Sequence, residues 1–246
     1  MSLLRICVVY PDLLGTYGDG GNGEILARRA EWRGIEVSLM HSASSGQLPA
    51  ADLYCLGGGE DGPQVLAAQR LAQDETFRGA VDGGAVVFAV CAGFQILGRS
   101  FPDARGHQIE GLGLFAMDTV KHEGPRSVGE VAVDAGSVLG SAPLGMLSGF
   151  ENHAGVTRLD SELAPLGTVR AGVGNGIPGV NGEAGEGALS GRSVGTYLHG
   201  PVLARNAHLA DALLSAAAQG VALSPLNDAA SDALRIERLA SLGIRT

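Results

Sequence analysis

The segment Val86-Val87-Phe88-Ala89-Val90-Cys91-Ala92-Gly93-Phe94-Gln95-Ile96-Leu97-Gly98 decides the reading of this chain. A continuous apolar run, the signature of a strand buried on both faces, stops at a cysteine between small residues, and a helix-compatible stretch follows at once. This is the sequence form of a nucleophile elbow, a tight strand-to-helix turn that lifts a reactive side chain clear of the sheet. The helix N-terminus also favours a negative thiolate. A second segment, Val194-Gly195-Thr196-Tyr197-Leu198-His199-Gly200-Pro201, brings a histidine to a Gly-Pro corner in the same way. Cys91 and His199, far apart in sequence and each at a strand end, are candidate nucleophile and base.

Further apolar runs at 4–10, 36–40, 53–56 and 85–90 read as buried parallel strands. Helical patterns lie between them. One covers 24–33 and is closed by Gly34; another covers 64–79, with Val65, Leu66, Leu71 and Phe77 facing inward. This alternation predicts an α/β, doubly wound, mostly parallel sheet flanked by helices. Sites in such sheets lie beyond the carboxyl ends of the strands, where Gly57-Gly58-Gly59 and Cys91 fall. From about residue 107 the texture changes. Short strand patterns at 113–120, 129–134, 167–173, 187–190 and 194–197 predict antiparallel additions in the second half. A helix is expected over 202–219 and a shorter one over 232–242. No internal repeat or linker is visible, so residues 1–246 are expected to form a single domain.

Composition narrows the function classes. Apolar residues make up 45% of the 246 and charged residues 17%, enough to build a substantial core. A net charge of −9 without a basic cluster argues against nucleic acid as a partner. No apolar stretch approaches the roughly 20 residues of a membrane span, and the N-terminal run is too short for a signal peptide. Three cysteines without paired spacing point to the reducing cytoplasm, with Cys7 and Cys55 expected in the core. No metal-ligand spacing is present, so no metal site is expected.

The loop Gly57-Gly58-Gly59-Glu60-Asp61-Gly62-Pro63-Gln64 follows a strand and brings backbone N–H groups near whatever Cys91 attacks. Thiolate addition to an amide carbonyl puts negative charge on oxygen, and each preorganised donor there is worth about 3 kcal/mol of barrier. The N–H of Gly59 (or Gly58) and that of Ala92 are the candidate oxyanion donors; the plainer reading of the loop is a flexible turn. The run Gly18-Asp19-Gly20-Gly21-Asn22-Gly23 satisfies G-x-G-x-x-G but begins eight residues after the first strand ends, and Asp19 would repel a pyrophosphate. It is therefore read as a decoy, with Asn22 capping the following helix.

These residues carry a resemblance. Cys91 in its elbow, the glycine loop and the late histidine resemble a class I glutamine amidotransferase domain of flavodoxin-like architecture. Gly57-Gly58-Gly59-Glu60-Asp61, Cys91-Ala92-Gly93-Phe94-Gln95, Gly149-Phe150-Glu151-Asn152-His153-Ala154-Gly155 and Tyr197-Leu198-His199-Gly200-Pro201 are similar to the cobyric-acid-synthase-like branch. Tyr17-Gly18-Asp19-Gly20-Gly21-Asn22 resembles the GatD-type small subunits of lipid II isoglutaminyl synthase. The likeness covers about residues 4–215, leaving 216–246 as a C-terminal extension.

The resemblance implies a glutaminase. Cys91 would attack the side-chain amide of L-glutamine, His199 would move the protons, and water would release glutamate from a thioester. It further implies that Arg126 holds the substrate α-carboxylate, for which a planar guanidinium suits a bidentate grip; on residues alone Arg126 reads as a solvated loop arginine. Gln64 is a second substrate-binding candidate. The expected partner is a Mur-ligase-like synthetase in a heterodimer, which would reach lipid II and carry the ATP and magnesium; this chain itself is expected to hold no cofactor.

Two departures stand out. Ala89 replaces the glycine that usually opens the elbow, and Pro201 stands where many relatives place a glutamate two residues after the histidine. The missing carboxylate would come from elsewhere in the chain, with Glu151 as one candidate, or from the partner. His153 is a rival for the base, while His41, His107, His122 and His208 read as surface or packing residues. The alternatives are the amidotransferase part of a cobyrinate or cobyrate amidating system, whose proteins normally add an N-terminal P-loop domain not found in this sequence, a scaffold module, and a cysteine peptidase.

Overall fold

An apolar run with no polar face needs cover on both sides, and the chain supplies it by winding helices around a sheet. The computed structural model describes residues 3–176 and 183–245. Its first half runs β1 (Leu4–Val9), α1 (Gly21–Glu31), β2 (Val37–Ser42), β3 (Leu53–Leu56), α2 (Asp61–Gln73), α3 (Glu75–Asp82), β4 (Val86–Val90) and α4 (Ala92–Leu97). There follow β5 (Ser100–Pro102), β6 (Gln108–Glu110), β7 (Met117–Lys121), β8 (Ser127–Ser137), β9 (Pro143–His153), β10 (Gly155–Leu159), β11 (Gly167–Ala171), β12 (Gly185–Glu186), β13 (Ala188–Ser190) and β14 (Ser193–Thr196). Helices α5 (Val202–Arg205), α6 (Ala207–Ala217) and α7 (Ala229–Ser241) end the chain.

The main sheet has the order β13-β14-β4-β3-β1-β2. Five strands are parallel and only β13 runs antiparallel, at the edge. Every residue of β3, β4 and β14 is buried. The parallel strands follow the flavodoxin-like order, and their carboxyl ends deliver Tyr10, Gly57, Cys91 and Tyr197 to one edge of the sheet. Two four-stranded sheets, β10-β7-β5-β6 and β12-β11-β8-β9, form the predicted additions, antiparallel except where β5 runs parallel to β7. Among the described residues no helix is long and apolar enough to cross a membrane.

Several elements differ from the sequence expectation for visible reasons. The helix expected over 64–79 is two helices, because Asp74 leaves helical geometry (ψ 100°) and its Oδ1 accepts from Phe77 N at 2.8 Å, capping α3. The helix expected over 202–219 breaks at Asn206, whose amide bonds both backbone groups of Ser148 on β9. Asn22 is not the cap of α1. It lies inside the helix, buried, and its Oδ1 accepts from Leu203 N at 3.1 Å. Strands β5, β6, β9 and β10 were not expected; Pro143-Leu144-Gly145-Met146 and Ser148-Gly149-Phe150 break the alternation that marks a strand, and pairing with β8 sets β9 instead.

Phe94 on α4 joins the two halves of the core, packing edge-on against Phe115 at 5.7 Å and Tyr197 at 5.3 Å between ring centroids. Cys7 and Cys55 are core residues as expected; burial pushes both thiols up, that of Cys7 to about 12. At the C-terminus, the buried Arg29 binds both Asp211 and Asp228, tying α1 to α6 and to the start of α7.

Gly93 sets how closely α4 approaches β3. A Cβ there would stand 2.7 Å from Leu56 Cβ and 3.0 Å from Gly57 O. Gly93→Ala is therefore expected to cost about 1–3 kcal/mol through overpacking, read as a lowered denaturant midpoint at unchanged slope.

Candidate active site

Cys91 occupies the turn between β4 and α4 with φ 49° and ψ −104°, a conformation an L-residue holds only under constraint, at a cost on the order of 1–3 kcal/mol. The constraint is visible: Cys91 N donates to Thr196 O at 2.8 Å and Gln95 N to Cys91 O at 2.9 Å. Cys91 is 8% exposed and lines a cavity of about 320 Å³. The elbow expected from the sequence is thus present, and Ala89 fits inside it fully buried.

His199 lies beyond β14, neighbour to β4 in the sheet, and is fully buried. Its backbone pairs with Phe150 on β9, His199 N donating to Phe150 O at 2.8 Å. Nδ1 meets Asp19 Oδ2 at 2.8 Å. Nε2 makes no hydrogen bond to the described residues, and besides Asp19 it is Cys91 whose charge bears on the ring. Burial alone would push the imidazole pKa down; Asp19 and Cys91 more than reverse this and raise it to about 10. The imidazolium is therefore held beside the cysteine. Behind it, the buried Glu186 accepts from Thr196 Oγ1 and Tyr197 N and fixes the end of β14; burial pushes its carboxyl up to about 7.

Asp19 is the carboxylate that the Pro201 position lacks. It is buried, and its Oδ2 also accepts from Gly58 N at 2.9 Å. Glu151 does not reach His199. Its carboxylate accepts from Val173 N and Gly174 N, 2.9 Å each, and its nearest histidine is His153, at 3.6 Å. Sequence reading missed Asp19 because it sits in the run set aside as a decoy. The available signal was a carboxylate flanked by glycines just past the first strand.

The glycine loop divides its work. Cβ atoms at Gly57 and Gly58 would collide with Leu14 O and the His199 ring, so both are needed for close approach. Gly58 N is occupied by Asp19, which removes it as an oxyanion donor. Gly59 N and Ala92 N bond to no group among the described residues, and both residues line the cavity beside Cys91.

Gln64 and Arg126 line the same cavity. Gln64 is buried and donates to Gln95 Oε1 at 2.9 Å; Gln95 in turn donates to Tyr197 Oη at 3.0 Å. Arg126 is exposed at the rim, with Nε on Asn152 Oδ1 at 3.0 Å. His153 stacks on Tyr197 (3.9 Å, 17°), with Nδ1 on Gly155 O at 2.9 Å, and it lines the cavity. His122, expected at the surface, is exposed and also lines it. The parallel sheet supplies the reactive groups and the β7–β10 region the opposite wall.

A model of the CobB/CobQ-like glutamine amidotransferase domain matches residues 5–207. The chain belongs to that family. Lipid II isoglutaminyl synthase (glutamine-hydrolyzing) subunit GatD of Streptococcus pneumoniae is 35% identical over 217 residues, covering 87% of this chain and 80% of its own. The GatD subunit of Staphylococcus aureus is 32% identical, covering 92% and 89%. Cobyric acid synthase of Brucella canis is 34% identical over 175 residues, covering 68% of this chain and 32% of its own. In fold, the amidotransferase domain matches the PurLQS structure from Thermotoga maritima with a TM-score of 0.58 at 19% identity, covering 88% and 96%.

The raised His199 pKa has a sign that can be tested. Its contribution to stability is complete below the unfolded value of about 6.5 and is lost as pH rises through about 10. The melting temperature is therefore expected to fall more steeply between pH 7 and 10 in the unsubstituted chain than in Asp19→Asn, so that the gap between them closes. Parallel curves would contradict the ion pair.

Proposed function

We propose that the chain hydrolyses L-glutamine through a Cys91 thioester and supplies the ammonia to a Mur-ligase-like, ATP-using partner that amidates the D-glutamate of the lipid II stem peptide. One observation carries the catalytic part: Cys91 lines a cavity whose rim holds Arg126, and His199, which feels the cysteine, is hydrogen-bonded to the buried Asp19. The acceptor rests on the GatD relatives, matched over 80% and 89% of their length against 32% for cobyric acid synthase.

The steps follow from the geometry. Arg126 grips the substrate α-carboxylate, and Gln64, through Gln95, shapes the cavity floor. Asp19 holds Nδ1–H and leaves Nε2 to the sulfur, so that His199 as imidazolium stabilises the attacking Cys91 thiolate. The thiolate adds to the amide carbon, and the N–H groups of Gly59 and Ala92 take the developing oxyanion. The imidazolium gives its Nε2 proton to the departing nitrogen, and ammonia leaves. Neutral His199 then removes a proton from water, which attacks the thioester; glutamate leaves and the thiolate and imidazolium are restored. The chain operates in the cytoplasm, in keeping with its three free cysteines.

The test is ATP- and glutamine-dependent amidation of lipid-linked muropeptide by the reconstituted complex. Cys91→Ser is expected to abolish glutamate release. His199→Ala and Asp19→Asn are each expected to lower kcat by about 10²–10⁴, with the double variant little worse than His199→Ala. His153→Ala should still form the thioester. Amidation of a corrinoid in place of the muropeptide would transfer the chain to the cobyrinate reading.

A further inference from the structure

Arg126 is joined to the catalytic histidine through two side chains the chemistry does not use. Arg126 Nε donates to Asn152 Oδ1 at 3.0 Å and Nη2 to Asn152 O at 3.1 Å. Asn152 Nδ2 donates to Tyr17 Oη at 2.7 Å. The Tyr17 ring stands edge-on to His199, 5.0 Å between centroids at 65°. Tyr17 is 44% exposed, yet it holds a φ of 62°, so neither core burial nor backbone preference accounts for its place. The same short loop carries Asp19 two residues on. Asn152 is likewise two residues from Phe150, whose backbone exchanges hydrogen bonds with His199.

We infer that Tyr17 and Asn152 are positioning residues that couple occupancy of the Arg126 carboxylate site to the orientation of the His199–Asp19 pair. The inference rests on the glutaminase reading of that site. A guanidinium has five donors in a fixed plane. Nε and one proton of Nη2 hold Asn152, leaving the Nη1–Nη2 edge for a carboxylate. A carboxylate docked on that edge fixes the plane of an otherwise exposed side chain. Fixing it orders the Asn152 amide, the Tyr17 hydroxyl and hence the ring that covers His199. A primary amide without an α-carboxylate leaves this series slack, so the enzyme selects the free amino acid over other amides in the same cavity. Such coupling is reciprocal, so an ordered His199 face also strengthens carboxylate binding.

Alkylation of Cys91, followed by mass spectrometry of the whole chain, separates the two ends of the relay. 6-Diazo-5-oxo-L-norleucine carries the α-amino-acid end of glutamine; iodoacetamide does not. Tyr17→Phe keeps the ring and removes the hydroxyl. It is expected to slow the diazoketone about tenfold, within the usual range of coupling between sites, and to leave iodoacetamide within about twofold. Asn152→Ser should give the same split, and Tyr17→Phe should add nothing in an Arg126→Ala background. Tyr17→Ala, which uncovers the ring, should slow both reagents. Equal slowing of both reagents by Tyr17→Phe, slowing of neither, or additivity with Arg126→Ala overturns the relay and leaves the glutaminase reading standing. Failure of L-glutamine to protect Cys91 in the unsubstituted chain overturns the glutaminase reading, and the relay with it.

Discussion

The site depends on one buried contact, Asp19 Oδ2 against His199 Nδ1. A carboxylate without solvent is costly unless its oxygens are matched; Oδ2 is matched twice, by the imidazole and by Gly58 N, while Oδ1 has no hydrogen-bond partner among the described residues. That single oxygen therefore ties together the loop after β1, the loop after β3 and the corner after β14. The close approach explains the glycines. Any side chain at Gly57 or Gly58 would push the loop after β1 away and open the contact. It also explains the protonation of His199, since a buried imidazole would otherwise be neutral.

The two halves of the chain divide the work physically. Parallel strands end together, so the main sheet can bring Asp19, Gly59, Cys91 and His199 to one edge although they are scattered over the sequence. A flat sheet edge cannot enclose a small amino acid. The antiparallel additions supply the opposite wall, with Arg126, Asn152 and His153 contributed by β8, β9 and their approach. Strand β9 serves both halves: Phe150 pairs with the His199 backbone, while Asn152 holds Arg126. In the proposed mechanism, substrate recognition and proton transfer thus share one strand.

What the sequence makes legible follows from the range of the forces involved. Cys91 and His199 each end an apolar run at a small-residue corner, a local signal, and both stand where the run predicts. The parallel sheet was legible for the same reason. Asp19 was not, because its function requires β1 to lie beside β3 and the histidine corner to reach back over both, and glycines that permit this resemble a nucleotide fingerprint in one dimension. Gly58 N is taken by Asp19 and Gly59 N is not, a distinction of one hydrogen bond. Arg126 was legible only through family resemblance; among polar neighbours it reads as a solvated arginine. β9 escaped notice because its glycines and Pro143 mask a strand that pairing with β8 enforces.

The most direct test of this arrangement is the titration of the His199 ring by ¹⁵N-edited NMR in the chain alone, without any partner. With Asp19 as its acceptor, His199 is expected to remain doubly protonated well above neutrality and to titrate near pH 10, and to titrate lower in Asp19→Asn. A His199 that titrates near 6.5 in both proteins would show that the carboxylate orienting the base is not Asp19.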